Sequence, residues 1–473
     1  MVLHAIMIPT SLGPLPFFDL CIEACFKGIT VTFVNFDFIQ HMISKAGNSN
    51  SGDVVLFSKA QQSGLDIRYA TISDGLPLEF DRNLNFEEWV QVLLTEFPAR
   101  VDEFIEKTIK RDPSLISFIV ADTYAWQATI ANKYNLVSVY FWTEPALVFS
   151  LNYHTDLLKE HAHYPCKDDI EEDINYLPGV DSISTRDIMP YLKEIGINNY
   201  GVQSYVNGIE AIKNVDFVLH NTVQELEPET LSALNEIQSI TPLVPLNFSK
   251  NLEKTTITNS LWSESDCTQW LGSKPPGSVL YVSFGSLVQT NKQVVEEIAH
   301  GLLLSEVNFI WVSRSGPVSS DDTDVLLNGF EDEIKDRGLI IPWCDQIMVL
   351  SNPAIGGFLT HCGWNSILES IWCGVPMICY PVTFDQPTNR KLVVDDWKIG
   401  ISLCDGTLVN RENVAVKIRN FMHGTSSEGL KREITKVGAI LCNATQIGGS
   451  SENNFEQFIR DLKAKINTGS SNP

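Results

Sequence analysis

Short runs of Val, Ile, Leu and Phe alternate with stretches of helical period along most of the chain. Residues 4–9 and 29–35 read as strands of unbroken apolar character, and residues 16–26 between them read as an apolar helix. The unit recurs at 115–121, 126–134 and 136–142, and residues 216–220 add another strand. Continuous apolar strands, each followed by a helix, predict a mostly parallel sheet covered on both faces. The rhythm stops over residues 240–261, which hold Pro242, Pro245 and many Ser, Thr and Asn. A domain boundary is expected there. A second series follows, with strands at 278–284, 308–313, 338–342, 355–360, 375–380 and 399–403 and helices at 293–303 and 365–373. Residues 315–328, rich in Ser and Asp, are expected to form a mobile loop.

The expected fold class is therefore α/β, with two doubly wound, Rossmann-like domains facing across a cleft. The N-terminal domain is drawn at 1–241, the linker at 242–261 and the C-terminal domain at 262–450. Residues 451–473 form a helix and tail expected to pack back on the N-terminal domain. Ligands of such sheets bind beyond the carboxyl ends of the strands.

Composition narrows the possibilities. The chain has 473 residues, 44% apolar and 19% charged, which excludes a disordered or fibrous protein. Lys and Arg number 34 against 58 Asp and Glu, a net charge of −24. So acidic a surface repels nucleic acid and anionic lipid. The first Lys is Lys27, and the early apolar run is broken by His4 and stopped by Pro9, so no secretory signal is expected. The best apolar stretch, 136–151, carries Glu144 and Pro145, so no membrane span is expected. None of the 10 Cys forms a CxxC pair, and they read as reduced thiols of a cytoplasmic protein. His161, His163 and Cys166 match no tight metal spacing, and no metal is expected. Gly13 alone cannot supply the G-x-G-x-x-G of a nicotinamide enzyme.

Residues 343–386 hold the densest chemistry. A strand ends at Thr360 and a helix starts near Asn365, with His361-Cys362-Gly363-Trp364-Asn365-Ser366 at the junction. A small residue, side-chain donors and the backbone N–H groups of a helix start suit a diphosphate. Glu369 follows Asn365 and Ser366 by one turn on the same side, where a carboxylate can accept two ribose hydroxyls. Trp343 follows an earlier strand and can stack on a flat base. Asp385 and Gln386 follow another and suit sugar hydroxyls. Taken together these parts describe a nucleotide-sugar site. Each alone has an ordinary structural reading, as core or as a satisfied histidine.

This 44-residue string resembles the signature of plant family-1 UDP-sugar glycosyltransferases nearly end to end. The matching pieces are Trp343-Cys344, Gln346, Pro353, Thr360 to Ser366, Leu368-Glu369-Ser370, Gly374-Val375-Pro376 and Asp385 to Asn389. Phe141-Trp142-Thr143, Ser283-Phe284-Gly285-Ser286 and Gly448-Gly449-Ser450-Ser451 extend the resemblance over most of the chain. Asp345 departs from the family's usual Pro. The resemblance implies a GT-B fold and an inverting hexosyl transfer from a UDP-sugar, most simply UDP-glucose, to a small specialised metabolite, without a metal. It implies that Trp343 stacks on uracil, the Cys344 backbone pairs with its edge, and Gln346 and Glu369 hold the ribose. Ser286, His361, Asn365 and Ser366, beside Gly363, would hold the diphosphate. Thr143, Trp364, Asp385 and Gln386 would contact the sugar.

The family's base, a His shortly after the first strand, is missing. The loop reads Pro9-Thr10-Ser11-Leu12-Gly13-Pro14-Leu15-Pro16, and alignment on Gly13 and Pro16 puts Pro14 where the His belongs. Asp122, which by resemblance would orient that His, is present; its ordinary reading is a helix N-cap. His4, at the opposite end of its strand, is no substitute. Three readings follow: an acidic acceptor that arrives ionised, proton removal by Asp122 directly or through water, or a binding protein of little turnover. Trp89, Phe149 and the loops over residues 181–205 are candidates for the acceptor pocket. Phe149, like Trp142, can equally be core.

Overall fold

The computed structural model describes residues 3–10, 15–46, 56–82, 84–111, 116–122, 126–164, 171–193, 208–209, 212–238, 240–243, 265–285, 291–313, 330–404, 408–424 and 426–469. The chain divides into two compact units. The first comprises Met1–Thr185, Pro190–Leu261 and Asn443–Pro473, and the second Arg186–Met189 and Trp262–Cys442.

The first unit is built on seven parallel strands. In chain order they are β1 (His4–Ile8), β2 (Thr30–Phe36), β3 (Ile67–Ile72), β4 (Phe118–Ala121), β5 (Val137–Trp142), then β8 (Phe217–His220) and β9 (Ile240–Pro242). A two-stranded antiparallel ribbon, β6 (Asp173–Ile174) with β7 (Ile183–Ser184), lies apart from the sheet. The order across the sheet is β3-β2-β1-β4-β5-β8-β9. β1 pairs with β2 on one side and with β4 on the other, from Ala5 opposite Phe118 to Ile8 opposite Ala121. The winding direction therefore reverses between β1 and β4. Connections leaving two such strands go to opposite faces, which opens a crevice at their carboxyl ends. β1, β2, β4 and β5 are buried along their whole length, as unbroken apolar runs require. The C-terminal helix Ser450–Gly469 adds Phe455, Phe458 and Leu462 to this core, and Phe458 meets Phe217 edge-on with centroids 5.4 Å apart.

The second unit repeats the topology with six parallel strands. These are β10 (Val279–Ser283), β11 (Asn308–Val312), β12 (Gly338–Ile341), β13 (Ile355–Thr360), β14 (Met377–Cys379) and β15 (Gly400–Ser402). Their order is β12-β11-β10-β13-β14-β15, so the reversal here falls between β10 and β13. Asp187 belongs to this unit, where its carboxylate pairs with Arg390 at 2.6 Å and its carbonyl accepts from the Thr388 hydroxyl at 2.7 Å.

One expectation changes. Residues 240–242, read as the start of the domain boundary, form β9 and pair with β8. β3, for which the sequence pattern gave no element, holds the edge of the sheet. Residues 315–328 lie outside the described residues. Among the described residues no helix is long and apolar enough to cross a membrane.

Candidate active site

In the second unit the site forms where β10, β12, β13 and β14 end. Trp343 and Cys344 follow β12, the first partly exposed and the second buried. Asp345 then caps the short helix Gln346–Leu350 by accepting from the Met348 N–H at 3.0 Å. The residue that departs from the family's Pro thus serves as an N-cap. The Gln346 amide group is held from three sides. Its oxygen accepts from the Tyr281 hydroxyl of β10 at 3.1 Å, and its nitrogen donates to Glu369 Oε2 at 2.6 Å and Ser366 Oγ at 3.0 Å. Ser366 and Glu369 share one side of the helix Trp364–Cys373, as their spacing requires. Glu369 keeps some solvent access, but protein atoms crowd its carboxyl group. That desolvation pushes it up to about 7, against the lowering effect of the Gln346 hydrogen bond.

His361 begins the loop between β13 and the helix Trp364–Cys373. Its ring lies against two glycines. A Cβ on Gly285, which follows β10 with φ +75°, would stand 2.4 Å from His361 Nε2, and one on Gly363 would stand 2.5 Å away. Neither position tolerates a side chain while the imidazole stays in place. Gly363 is the N-cap residue and offers no side-chain acceptor to the helix start. Helix N-termini of this kind attract anions. Between the two, Cys362 takes a left-handed conformation, φ +67°. Thr360 Oγ1 accepts from its N–H at 3.1 Å and its carbonyl accepts from Asn389 Nδ2 at 2.9 Å.

Asp385 and Gln386 follow β14 and are both buried. Asp385 accepts from Asn389 Nδ2 at 2.6 Å, while burial pushes its carboxyl up to about 6. Gln386 Oε1 accepts from the Val382 and Thr383 N–H groups at 2.8 and 2.9 Å, so its NH2 is the group that remains for a ligand. The Trp364 indole is buried and packs against Trp397 with centroids 6.0 Å apart. Ser286 lies outside the described residues. Tyr281 and Asn389, which fix the site's loops, carry no role in the sequence reading; a strand tyrosine gives no positional signal, although Asn389 ends the last matching piece, Asp385 to Asn389.

In the first unit, Asp122 directly follows β4 and is buried. Its carboxylate grips Thr10, beyond β1. Thr143 follows β5 and is partly exposed; its carbonyl accepts from Asn221 Nδ2 at 3.2 Å. The helix Ala146–Tyr153 behind it starts on the buried Glu227 carboxylate, which accepts from the Ala146 and Leu147 N–H groups at 3.0 and 2.8 Å.

The two aromatic pocket candidates are core residues. Trp89 is 2% exposed, packs among Phe36, Phe38 and Phe86, and donates its indole N–H to Asp74 at 3.0 Å. Phe149 is fully buried against Trp142 and His220. His4 hydrogen-bonds Thr32 at 2.8 Å at the amino end of the sheet. His161 stacks on Tyr176, and His163 bridges the Tyr176 hydroxyl and Glu172 at 2.8 Å each.

Comparison with known proteins points to one family. The model of the family "UDP-glucoronosyl and UDP-glucosyl transferase" matches residues 234–426. UDP-glycosyltransferase 86A1 of Arabidopsis thaliana is 47% identical over 473 residues, covering 98% of this chain and 95% of the relative. The 7-deoxyloganetin glucosyltransferase of Catharanthus roseus is 32% identical, covering 98% and 97%. The fold is that of the crystal structure of Os79 from O. sativa in complex with UDP, with a TM-score of 0.82, 24% identity and coverage of 97% and 100%. A UDP-glucose:anthocyanidin 3-O-glucosyltransferase in complex with UDP gives 0.81 at 23% identity, covering 98% and 99%. Near-complete coverage at 47% identity, joined to the signature residues in place, makes this chain a member of the plant family-1 UDP-glycosyltransferases, with the two Rossmann-like domains of the GT-B fold.

Proposed function

We propose that this glycosyltransferase moves glucose from UDP-glucose, with inversion, to a small metabolite whose accepting group is acidic. The observation that carries the donor reading is the Gln346 amide, held between Tyr281, Ser366 and Glu369. It sets a carboxylate and an amide side by side, as paired ribose hydroxyls demand. In this reading Trp343 and the Cys344 backbone receive the uracil. His361, Asn365, Ser366 and the helix start at Gly363 take the diphosphate, with Ser286 beside them. Thr143, Asp385 and Gln386 take the hexose. These donors and the helix dipole offset the charge of the departing UDP, so no metal is required.

The acceptor oxygen bonds to the anomeric carbon from the face opposite UDP. The bond from that carbon to the β-phosphate oxygen breaks, and UDP leaves with the electron pair. An acceptor that arrives ionised brings no proton. One that arrives protonated gives its proton to the Asp122 carboxylate, directly or through a water, and Asp122 returns it to solvent. The absence of a histidine in the loop after β1 supports the acidic class, because a phenol near pKa 10 gains most from a strong base.

Incubation with UDP-glucose and acceptors graded by acidity tests the reading. UDP release matched by a gain of one hexose, with rates that rise as acceptor pKa falls, is the expected result. Rates indifferent to acidity remove the ionised acceptor. Donor binding with no turnover of any acceptor makes the chain a binding protein.

A further inference from the structure

We propose that Thr10 is the positioning residue for Asp122, a role that rests on the reading of Asp122 as the proton acceptor. The two residues meet at the place where the winding of the first sheet reverses. Ile8 and Ala121 are the last paired residues of β1 and β4. Thr10 lies two residues beyond the first and Asp122 one beyond the second. The Thr10 N–H donates to Asp122 Oδ1 at 2.6 Å, and its hydroxyl, with one proton, stands 2.5 Å from the same oxygen and 2.9 Å from the Asp122 carbonyl.

The geometry ties one oxygen of the carboxylate to Thr10, whose N–H and hydroxyl both reach Oδ1. The pair of bonds also fixes the rotation of the carboxylate plane. Thr10 is suited to the task, since a β-branched side chain has few χ1 states and Pro9 before it has a fixed φ. The Thr10 N–H and hydroxyl both face Asp122, so Thr10 acts through its partner. In this chain, then, the loop that lacks the family's histidine still reaches the aspartate, through a hydroxyl that orients and does not titrate.

The test uses the full chain with UDP-glucose and one acceptor, comparing Thr10→Val, Thr10→Ser, Asp122→Asn and the Thr10→Val/Asp122→Asn double variant. Loss of one hydrogen bond to a charged partner lowers kcat of Thr10→Val by about tenfold or more, with KM for UDP-glucose unchanged. Thr10→Ser, which restores the hydroxyl, stays within about threefold of the parent, and Thr10→Val costs nothing further on the Asp122→Asn background. Thr10→Ala removes the hydroxyl without setting a methyl against the carboxylate. It gives the same comparison where Thr10→Val melts below the assay temperature. A fully active Thr10→Val beside an impaired Asp122→Asn overturns the role of Thr10 alone. Equal losses in Thr10→Ser and Thr10→Val, or equal costs on both backgrounds, also overturn it. A fully active Asp122→Asn removes the base reading, and the positioning role with it.

Discussion

Replacing Glu369 by Gln removes one charge from the donor site and little else, and the structure fixes how the loss should depend on pH. The carboxylate accepts from Gln346 Nε2 at 2.6 Å, and desolvation pushes its ionisation up to about 7. In the proposed complex it also accepts the ribose hydroxyls. Hydrogen bonds to a charged acceptor contribute about 1.5–3 kcal/mol, so Glu369→Gln should weaken UDP-glucose binding by about 10- to 150-fold at pH 8. The advantage belongs to the ionised form. At pH 5.5 only about 3% of a group titrating near 7 is ionised, so the ratio of variant to parent Kd should shrink by about 30-fold or until it reaches one. Forming the ratio cancels the titration of Asp385 and other shared groups. UDP-glucose is the right ligand because UDP carries a terminal phosphate that itself titrates near pH 6. Stability should move the other way. The folded value lies above the ordinary 4.5, so folding favours the protonated acid. That contribution is fully present below pH 4.5 and is lost as pH rises through about 7, an effect of about 1–3 kcal/mol after allowance for partial exposure. Calorimetric titration at four pH values between 5.5 and 8 reads the binding ratio. A ratio that stays flat across this range would refute the assignment of Glu369 to the ribose.

Other outcomes follow from single contacts. Gly285→Ala should abolish measurable UDP-glucose binding in calorimetry, because its Cβ would stand 2.4 Å from His361 Nε2 on a backbone at φ +75°. Retained affinity would show that the His361 ring is not needed where it sits. His220 is fully buried, and desolvation lowers its ionisation to about 3. The unfolded chain therefore binds a proton that the folded chain refuses. Stability should fall as pH drops from 6.5 toward 3, by about 2 kcal/mol at pH 5, and His220→Phe should remove that component from urea unfolding curves. Glu227→Ala leaves two buried N–H groups at a helix start without their acceptor and should cost about 3 kcal/mol by the same assay.

Much of the fold was legible because it depends on unbroken apolar runs. β13 was expected at 355–360 and occupies Ile355–Thr360, and β1, β2, β5, β8 and β10 to β15 fall within a few residues of their expected places. β3 was not read. Its residues alternate between buried and exposed at the sheet edge, which gives a weaker signal than a central strand. β9 has three residues and ends in Pro242, too little to set it apart from a linker. Spacing showed that Ser366 and Glu369 share a helix side, and Gln346 touches both. Residue type alone does not show which way an aromatic faces: of the two pocket candidates, Phe149 takes the core position that was its open alternative, and Trp89 is core as well. The Thr10–Asp122 pairing was invisible for a different reason. It joins residues 112 apart through a hydroxyl that no motif marks.

Titrating the purified chain with UDP-glucose, and in parallel with ADP-glucose, measures the central claim most directly. A saturable heat of one-to-one stoichiometry with the uridine sugar and little with the adenine sugar is the predicted result. A folded protein that takes up no uridine-linked sugar would contradict the account.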